Sequence, residues 1–290
     1  MTELLEIAGL NVQRGSRVLV RDVEFSLNQG SVLALLGPNG AGKSSLLETV
    51  AGLLPDAGGR ILLDSRDISA MPAFSRARHG VRFVGQGRQV VPALTVADNL
   101  ALAAEGARVA RPQPPDIASL FPRLGARWRT RAAALSGGEQ QMLALAMGLT
   151  GPVRVLLLDE PSFGLAPSTV DGIFQQLAEL KQRGYTMLIA EQQLNRVLQL
   201  ADAVAVLGGG RLSPPQTVDQ MSPDDRVREV VEAYLGRSSE AAAAPAAGQV
   251  ESLVSLSLPV AQKRRLQVMA RERGMTPAEL IAENLQSWLR

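Results

Sequence analysis

The sequence predicts an α/β protein built on a mostly parallel sheet, and three observations carry that reading. From Val153 to Leu207 strand-like and helix-like patterns alternate, as they do where parallel strands are joined by crossover helices. Val153 to Leu158 is an apolar run, interrupted only by Arg154, that ends in Asp159-Glu160, the pattern of a strand buried on both faces. A second apolar run, Val32 to Leu36, leads directly into a glycine-rich segment followed by a helical pattern.

The elements follow in order. Residues 3 to 30 alternate apolar and polar in short runs, with Leu5, Ile7, Leu10, Val18, Val20, Val23, Phe25 and Leu27 punctuated by Gly15-Ser16 and Gln29-Gly30. They read as antiparallel strands leading into the strand at 32–36. A helix over 44–53 stops at Gly52, a short strand covers Arg60 to Asp64, and another opens at Val81 and ends at Gln86. From Leu94 to Ala134 the pattern is helical, with Thr95 as N-cap, Asp98 at N3 and a proline-rich break at 111–115. Helices are expected at 139–149, 168–183 and 192–200, and strands at 185–190 and 203–207 before a glycine turn at 208–210.

Residues 37–45 fit the phosphate-binding loop G-x-x-x-x-G-K-[ST]. Gly37, Gly40 and Gly42 let the backbone turn tightly and aim its N–H groups inward, where a Cβ would obstruct a phosphate. Pro38, Asn39, Ala41 and Ser45 complete the cradle, Lys43 supplies a point charge to the β- and γ-phosphates, and Ser44 offers its hydroxyl to Mg²⁺. The helix that follows adds its N-terminal dipole. A glycine-rich turn that matches by accident is the competing reading, and the strand before the loop and the helix after it argue against that. A nucleoside triphosphate is the expected ligand.

Composition narrows the rest. A chain of 290 residues suggests one large domain with an appendage, and 46% apolar residues suffice for a core. The formal net charge of +2 implies no general affinity for nucleic acid. Without cysteine there is no disulfide or thiolate metal site, and the single histidine, His79, excludes histidine-rich ones. The start of the chain lacks a signal-peptide pattern, and no run approaches the roughly 18 apolar residues of a membrane span. A cytoplasmic protein that reaches a membrane only through a partner is the expectation.

Downstream, Ser136-Gly137-Gly138 opens a helix whose N–H groups can face an anion. At the end of the apolar strand, Asp159 is placed to hold Mg²⁺ through water and Glu160 to orient and deprotonate an attacking water. In this order and spacing, the loop 37–45, Gln86, Leu135-Ser-Gly-Gly-Glu139, Asp159-Glu160 and Ser162-Phe-Gly-Leu-Ala-Pro167 resemble the ATP-binding subunits of ABC transporters, over roughly residues 3 to 236. The resemblance implies a RecA-like P-loop ATPase core with a small antiparallel β subdomain and a helical subdomain near 87–150. It implies ATP and Mg²⁺ as ligands. Two such subunits would sandwich two ATP molecules, with Ser136, Gly137 and Gly138 of one facing the phosphate loop of the other, and 162–167 crossing between them. Gln86 would bind Mg²⁺ and the attacking water while its loop touches a membrane permease subunit. Finer matches, among them Leu120-Phe-Pro-Arg-Leu and Ala190-Glu-Gln, are similar to the shorter ATPase type of branched-chain amino-acid importers, which serve a solute-binding protein indirectly. Importers of urea and short-chain amides use similar subunits.

Three positions depart from the family pattern. Most members place a histidine after the strand ending at Ala190 to contact the γ-phosphate, whereas this chain has Gln192, a hydrogen-bond donor that cannot become a cation. No aromatic residue stands near Gln13-Arg14-Gly15 to stack on adenine; either Arg14 stacks by its guanidinium plane or the base is held loosely. Met147 replaces a usual arginine in the signature helix.

Domain 1–237 is expected to be followed by an alanine-rich linker, 238–250, and a strand-helix-helix unit, 251–290, with a capping box at Thr276-Pro-Ala-Glu279. That unit resembles a ribbon-helix-helix module, too small to bury a core alone, so it is expected to pair with a copy of itself. Ser255 and Ser257 face outward where DNA-binding members carry long polar residues, which makes self-association the favoured reading and DNA the disfavoured one. A soluble ABC ATPase regulating through DNA remains the competing function from another class.

Overall fold

The computed structural model describes residues 2–218, Arg88 and Gln193 excepted. The linker and the strand-helix-helix unit expected at 238–290 lie outside these residues. Two long strands, β1 (Glu3–Arg14) and β2 (Arg17–Asn28), pair antiparallel around the turn at Gly15-Ser16. With β4 (Arg60–Leu63) and β5 (Arg66–Asp67) they form a four-stranded antiparallel sheet in the order β2-β1-β4-β5. The central sheet runs β10-β9-β3-β8-β7-β6, from β3 (Val32–Leu36), β6 (Val81–Val84), β7 (Val155–Asp159), β8 (Thr186–Ala190), β9 (Ala203–Gly208) and β10 (Arg211–Leu212). All pairs from β9 to β6 are parallel, while β10 and β11 (Gln216–Thr217) join β9 antiparallel.

Every residue of β3, β7 and β8 is buried, the polar Asp159 and Thr186 included, as central strands of a sheet covered on both faces require. Alternation along the strands splits the interior into two cores. Val32, Ala34, Leu36, Leu156, Leu158, Met187 and Ile189 point to a face covered by α6 (Gly137–Gly148), α7 (Pro167–Gln182) and α8 (Leu194–Leu200). Leu33, Leu35, Val155, Leu157, Leu188 and Ala190 point the other way, against α1 (Lys43–Ala51) and the inner face of the antiparallel sheet.

The helical region expected at 94–134 divides into α3 (Val96–Ala107), α4 (Pro114–Ala118), α5 (Pro122–Ala126) and a single 3₁₀ turn at Ala132–Ala134. Thr95 and Asp98 form the expected capping box. The short β5 and α2 (Ala73–Arg78) went unseen in the sequence, because two to six residues are too few to display a period.

Helix α2 matters through one side chain. Arg76, 3% exposed, donates from Nη1 to the carbonyls of Thr49 (2.8 Å) and Val50 (2.9 Å), from Nε to Met71 (2.9 Å) and from Nη2 to Ser69 (2.6 Å). Two of these carbonyls belong to the open C-terminal end of α1, so Arg76 caps the helix that carries the phosphate loop. Arg76→Met keeps the bulk and removes the donors. It is expected to lower unfolding free energy by about 3 kcal/mol, read as a shift in urea midpoint at unchanged slope; a loss below about 1 kcal/mol would contradict the capping role.

Candidate functional site

Strand register assembles the site. Leu35 lies opposite Ala190, and Ala190 opposite Asp159, so β3, β8 and β7 end on one line. From that edge emerge the loop 37–45, Glu160, and Glu191-Gln192. A crevice outside the carboxyl ends of parallel strands is where open α/β sheets bind ligands.

The loop needs its glycines for distinct reasons. Gly37 has φ 151, and a Cβ there would stand 2.3 Å from the carbonyl oxygen of Leu207, so no other residue fits. Gly42 is the N-cap of α1 and has no side chain to satisfy the first N–H groups of that helix, which leaves them to an anion. Lys43 is 4% exposed; its Nζ donates to the carbonyls of Gly37 (2.8 Å) and Pro38 (3.2 Å) and lies 4.0 Å from Glu160 Oε1. An ammonium has three protons, so one donor remains for a phosphate oxygen. Burial pulls the Lys43 pKa below its ordinary value, against the pull of the Glu160, Asp159 and Glu191 carboxylates.

Ser44 Oγ donates to Asp159 Oδ1 at 3.0 Å. The two oxygens converge on one point, a hydroxyl and a carboxylate suited to a hard dication that keeps waters and phosphate oxygens as its other ligands. Among the described residues no group of three or more His, Cys, Asp or Glu side chains could hold a metal alone. The donor set therefore fits Mg²⁺ brought with a nucleotide, and does not fit a resident metal.

Glu160 sits in the left-handed region, φ 46, a conformation that costs a non-glycine residue about 1 kcal/mol. Its N–H donates to the Ala190 carbonyl at 2.8 Å, and it is 8% exposed. Gln86 Nε2 donates to Oε2 at 2.9 Å and Gln192 Nε2 donates to Oε1. Thus Gln86, Glu160 and Gln192, from three separate segments, form one cluster with Lys43 below it.

Arg14 ends β1 and pairs with Glu48 of α1 at 3.1 Å across an exposed surface, a contact worth about 0–1 kcal/mol. The signature residues lie elsewhere. Ser136 caps α6 in a capping box with Glu139, and a cleft of about 570 Å³ is bounded there by Ser136, Gly138, Glu139 and Thr169. None of residues 37–45 lines it. A Cβ on Gly138 would meet Thr169 Cγ2 at 2.1 Å, so this glycine also sets how closely α7 approaches α6.

Sequence reasoning missed the role of Ser162 and Glu191. Glu191, 2% exposed, accepts from Ser162 N (3.1 Å), from Ser162 Oγ, and from Gln192 N (2.8 Å). A charged residue directly after the apolar run Met187 to Ala190 was the available signal.

Burial raises the Asp159 pKa, with the Glu160 and Glu48 carboxylates adding to it and the Ser44 hydrogen bond and Lys43 opposing. The folded chain then keeps this proton to higher pH than the unfolded chain does. Stability therefore falls as pH rises from about 4, the unfolded carboxyl range, through the raised folded value, and the full cost stands above it. In metal-free, nucleotide-free buffer near neutral pH, Asp159→Asn is expected to melt about 2–4 °C higher, equivalent to about 1 kcal/mol. The gap should close below about pH 4; thermal melts across pH check this, and an equal or lower melting temperature at neutral pH would refute it.

Comparison with known proteins agrees with this geometry. The ABC transporter family pattern matches residues 20–163. The high-affinity branched-chain amino acid transport ATP-binding protein BraG of Pseudomonas aeruginosa is 36% identical over 238 residues, 80% of this chain and 100% of that protein. The lipopolysaccharide export system ATP-binding protein LptB of Haemophilus influenzae is 32% identical, over 76% of this chain and 92% of that one. A crystal structure of the ADP conformation of an ATP-binding cassette of an ABC transporter superposes with a TM-score of 0.70 at 26% identity, covering 81% of this chain and all of that one. With a phosphate loop, a buried Asp159-Glu160 pair and relatives matched over nearly their whole length, the chain belongs to the ATP-binding proteins of ABC transporters and is an ATPase.

Proposed function

We propose that this ATPase powers import of branched-chain amino acids or related small solutes, bound beneath membrane permease subunits on the inner face of the membrane. The similarity to BraG supports the cargo class, and the matching Ala190-Glu-Gln and Leu120-Phe-Pro-Arg-Leu segments point the same way. A solute-binding protein acts indirectly, through the permease. The observation that carries the mechanism is the convergence of Lys43, Gln86, Glu160 and Gln192 at one sheet edge.

The α1 N-terminus and the free proton of Lys43 receive the phosphates. Ser44, Asp159 and Gln86 would hold Mg²⁺, which would supply positive charge to neutralise the phosphates. Glu160 orients and deprotonates water, and Gln192 leaves it to donate to the γ-phosphate. Arg14, at the end of β1, would stack its guanidinium on the adenine once it leaves Glu48. Ser136 and Gly138 line a separate cleft, and with Gly137 they serve the nucleotide of a second ATPase subunit, whose own signature completes this one. Glu160→Gln is expected to reduce ATP turnover at least 100-fold while ATP binding persists; turnover close to the parent would remove Glu160 from the base role.

Permease docking is supported by an open groove of about 460 Å³, in which Leu53 (55% exposed), Phe74 (62% exposed), Phe83 and Met147 face Arg82 and Gln89. Exposed apolar side chains of this kind mark interaction sites. Gln89 accepts from the Gly85 N–H at 3.2 Å, so a helix pressed into the groove touches the segment bearing Gln86. Full-length chain solubilised from membranes is expected to carry permease subunits with it, and Phe74→Asp to lose them. Recovery with DNA fragments and without membrane proteins would favour the regulatory reading instead.

A further inference from the structure

The turn that carries Glu160 and the turn that carries Gln192 belong to different strands, yet one buried side chain grips both. Glu191 follows β8 immediately, and its own N–H donates to the Leu35 carbonyl at 3.2 Å, on the strand that enters the phosphate loop. Its Oε1 accepts from the Ser162 N–H at 3.1 Å and from the Ser162 hydroxyl; its Oε2 accepts from the Gln192 N–H at 2.8 Å. Ser162 stands two residues after Glu160, and the Phe163 N–H returns to the Glu160 carbonyl at 2.9 Å, closing a tight turn. Glu191 and Ser162 are 2% and 4% exposed, so solvent does not compete for these bonds.

From this arrangement we infer that Glu191 is a positioning residue for hydrolysis, one that fixes Glu160 and Gln192 relative to each other through Ser162 and the Gln192 backbone. The inference rests on Glu160 as the base. Two features point beyond simple stability. Glu160 holds a left-handed backbone, φ 46, and such a conformation persists only where the surroundings over-determine it. The turn gripped by Glu191 is the one that follows it. Moreover, Oε1 and Oε2 serve separate catalytic segments, so the carboxylate couples them where two unlinked groups would only anchor each. A carboxylate accepts on both oxygens; an amide in its place has one accepting oxygen and turns an NH₂ toward a backbone N–H.

ATP hydrolysis by the full-length chain tests this with Glu191→Gln, Ser162→Ala and the double variant. Glu191→Gln is expected to lower kcat roughly tenfold or more, since small misplacements of reacting groups cost rates of that order. KM for ATP should stay within about twofold of the parent, because phosphate-loop contacts are untouched. Ser162→Ala should lower kcat severalfold, and the two effects should combine to less than their product, as expected of residues acting through each other. A kcat within about twofold of the parent in both single variants would overturn the inference. So would kcat, KM and melting temperature worsening together, which is what a purely structural role produces. If Glu191→Gln does not fold, Ser162→Ala decides alone: unchanged kcat overturns, a kcat-only loss supports. Loss of activity in Glu160→Gln alongside normal activity in these variants would reject the positioning role and leave the base assignment standing. Normal activity in Glu160→Gln would reject the base itself.

Discussion

The site depends first on the register of three parallel strands. Leu35, Ala190 and Asp159 stand side by side in the sheet, so the residues that follow each strand share a single edge. A slip by one residue in any strand would turn its side chains to the opposite face and withdraw its catalytic group. Continuous burial enforces that register. Leu33, Leu157 and Leu188 fill one core while Ala34, Leu158 and Ile189 fill the other, leaving no polar face on which a strand could slide.

On that edge the governing constraint is charge in a dry place. Lys43, Asp159, Glu160 and Glu191 are all under a tenth exposed. Buried charges are tolerated only with partners, and each has them. Lys43 is held by loop carbonyls, Asp159 by Ser44, Glu160 by two glutamine amides, and Glu191 by the Ser162 and Gln192 backbones among others. Asp159 remains strained in this balance, its carboxyl held above the ordinary range by burial and by Glu160 and Glu48. A divalent cation beside Ser44 and Asp159 would relieve that strain, so nucleotide binding and fold stability are linked at this point.

The chemistry at the edge is connected to surfaces far from it by backbone contacts and caps. Arg76 joins the C-terminal end of α1 to α2, which presents Phe74 to the open groove. Arg82 donates to the Gly148 and Met147 carbonyls, tying the strand before Gln86 to the C-terminal end of the signature helix. This supplies a cation at that helix end although Met147 itself is apolar.

Read alone, the sequence determined the α/β class, the phosphate loop and its following helix, the buried strand ending in Asp159-Glu160, and the capping box at Thr95. All of these are local signals, in which period, glycine placement and capping chemistry act over a few residues. Short elements such as β5 and α2 fell below the length at which a period can be seen. Tertiary structure alone decided that Gln86, Glu160 and Gln192 meet, that Glu191 and Ser162 bind each other across 29 residues, and that Gly138 is needed against Thr169. Such contacts depend on strand order and register, which place distant residues side by side and leave no periodic mark in the chain.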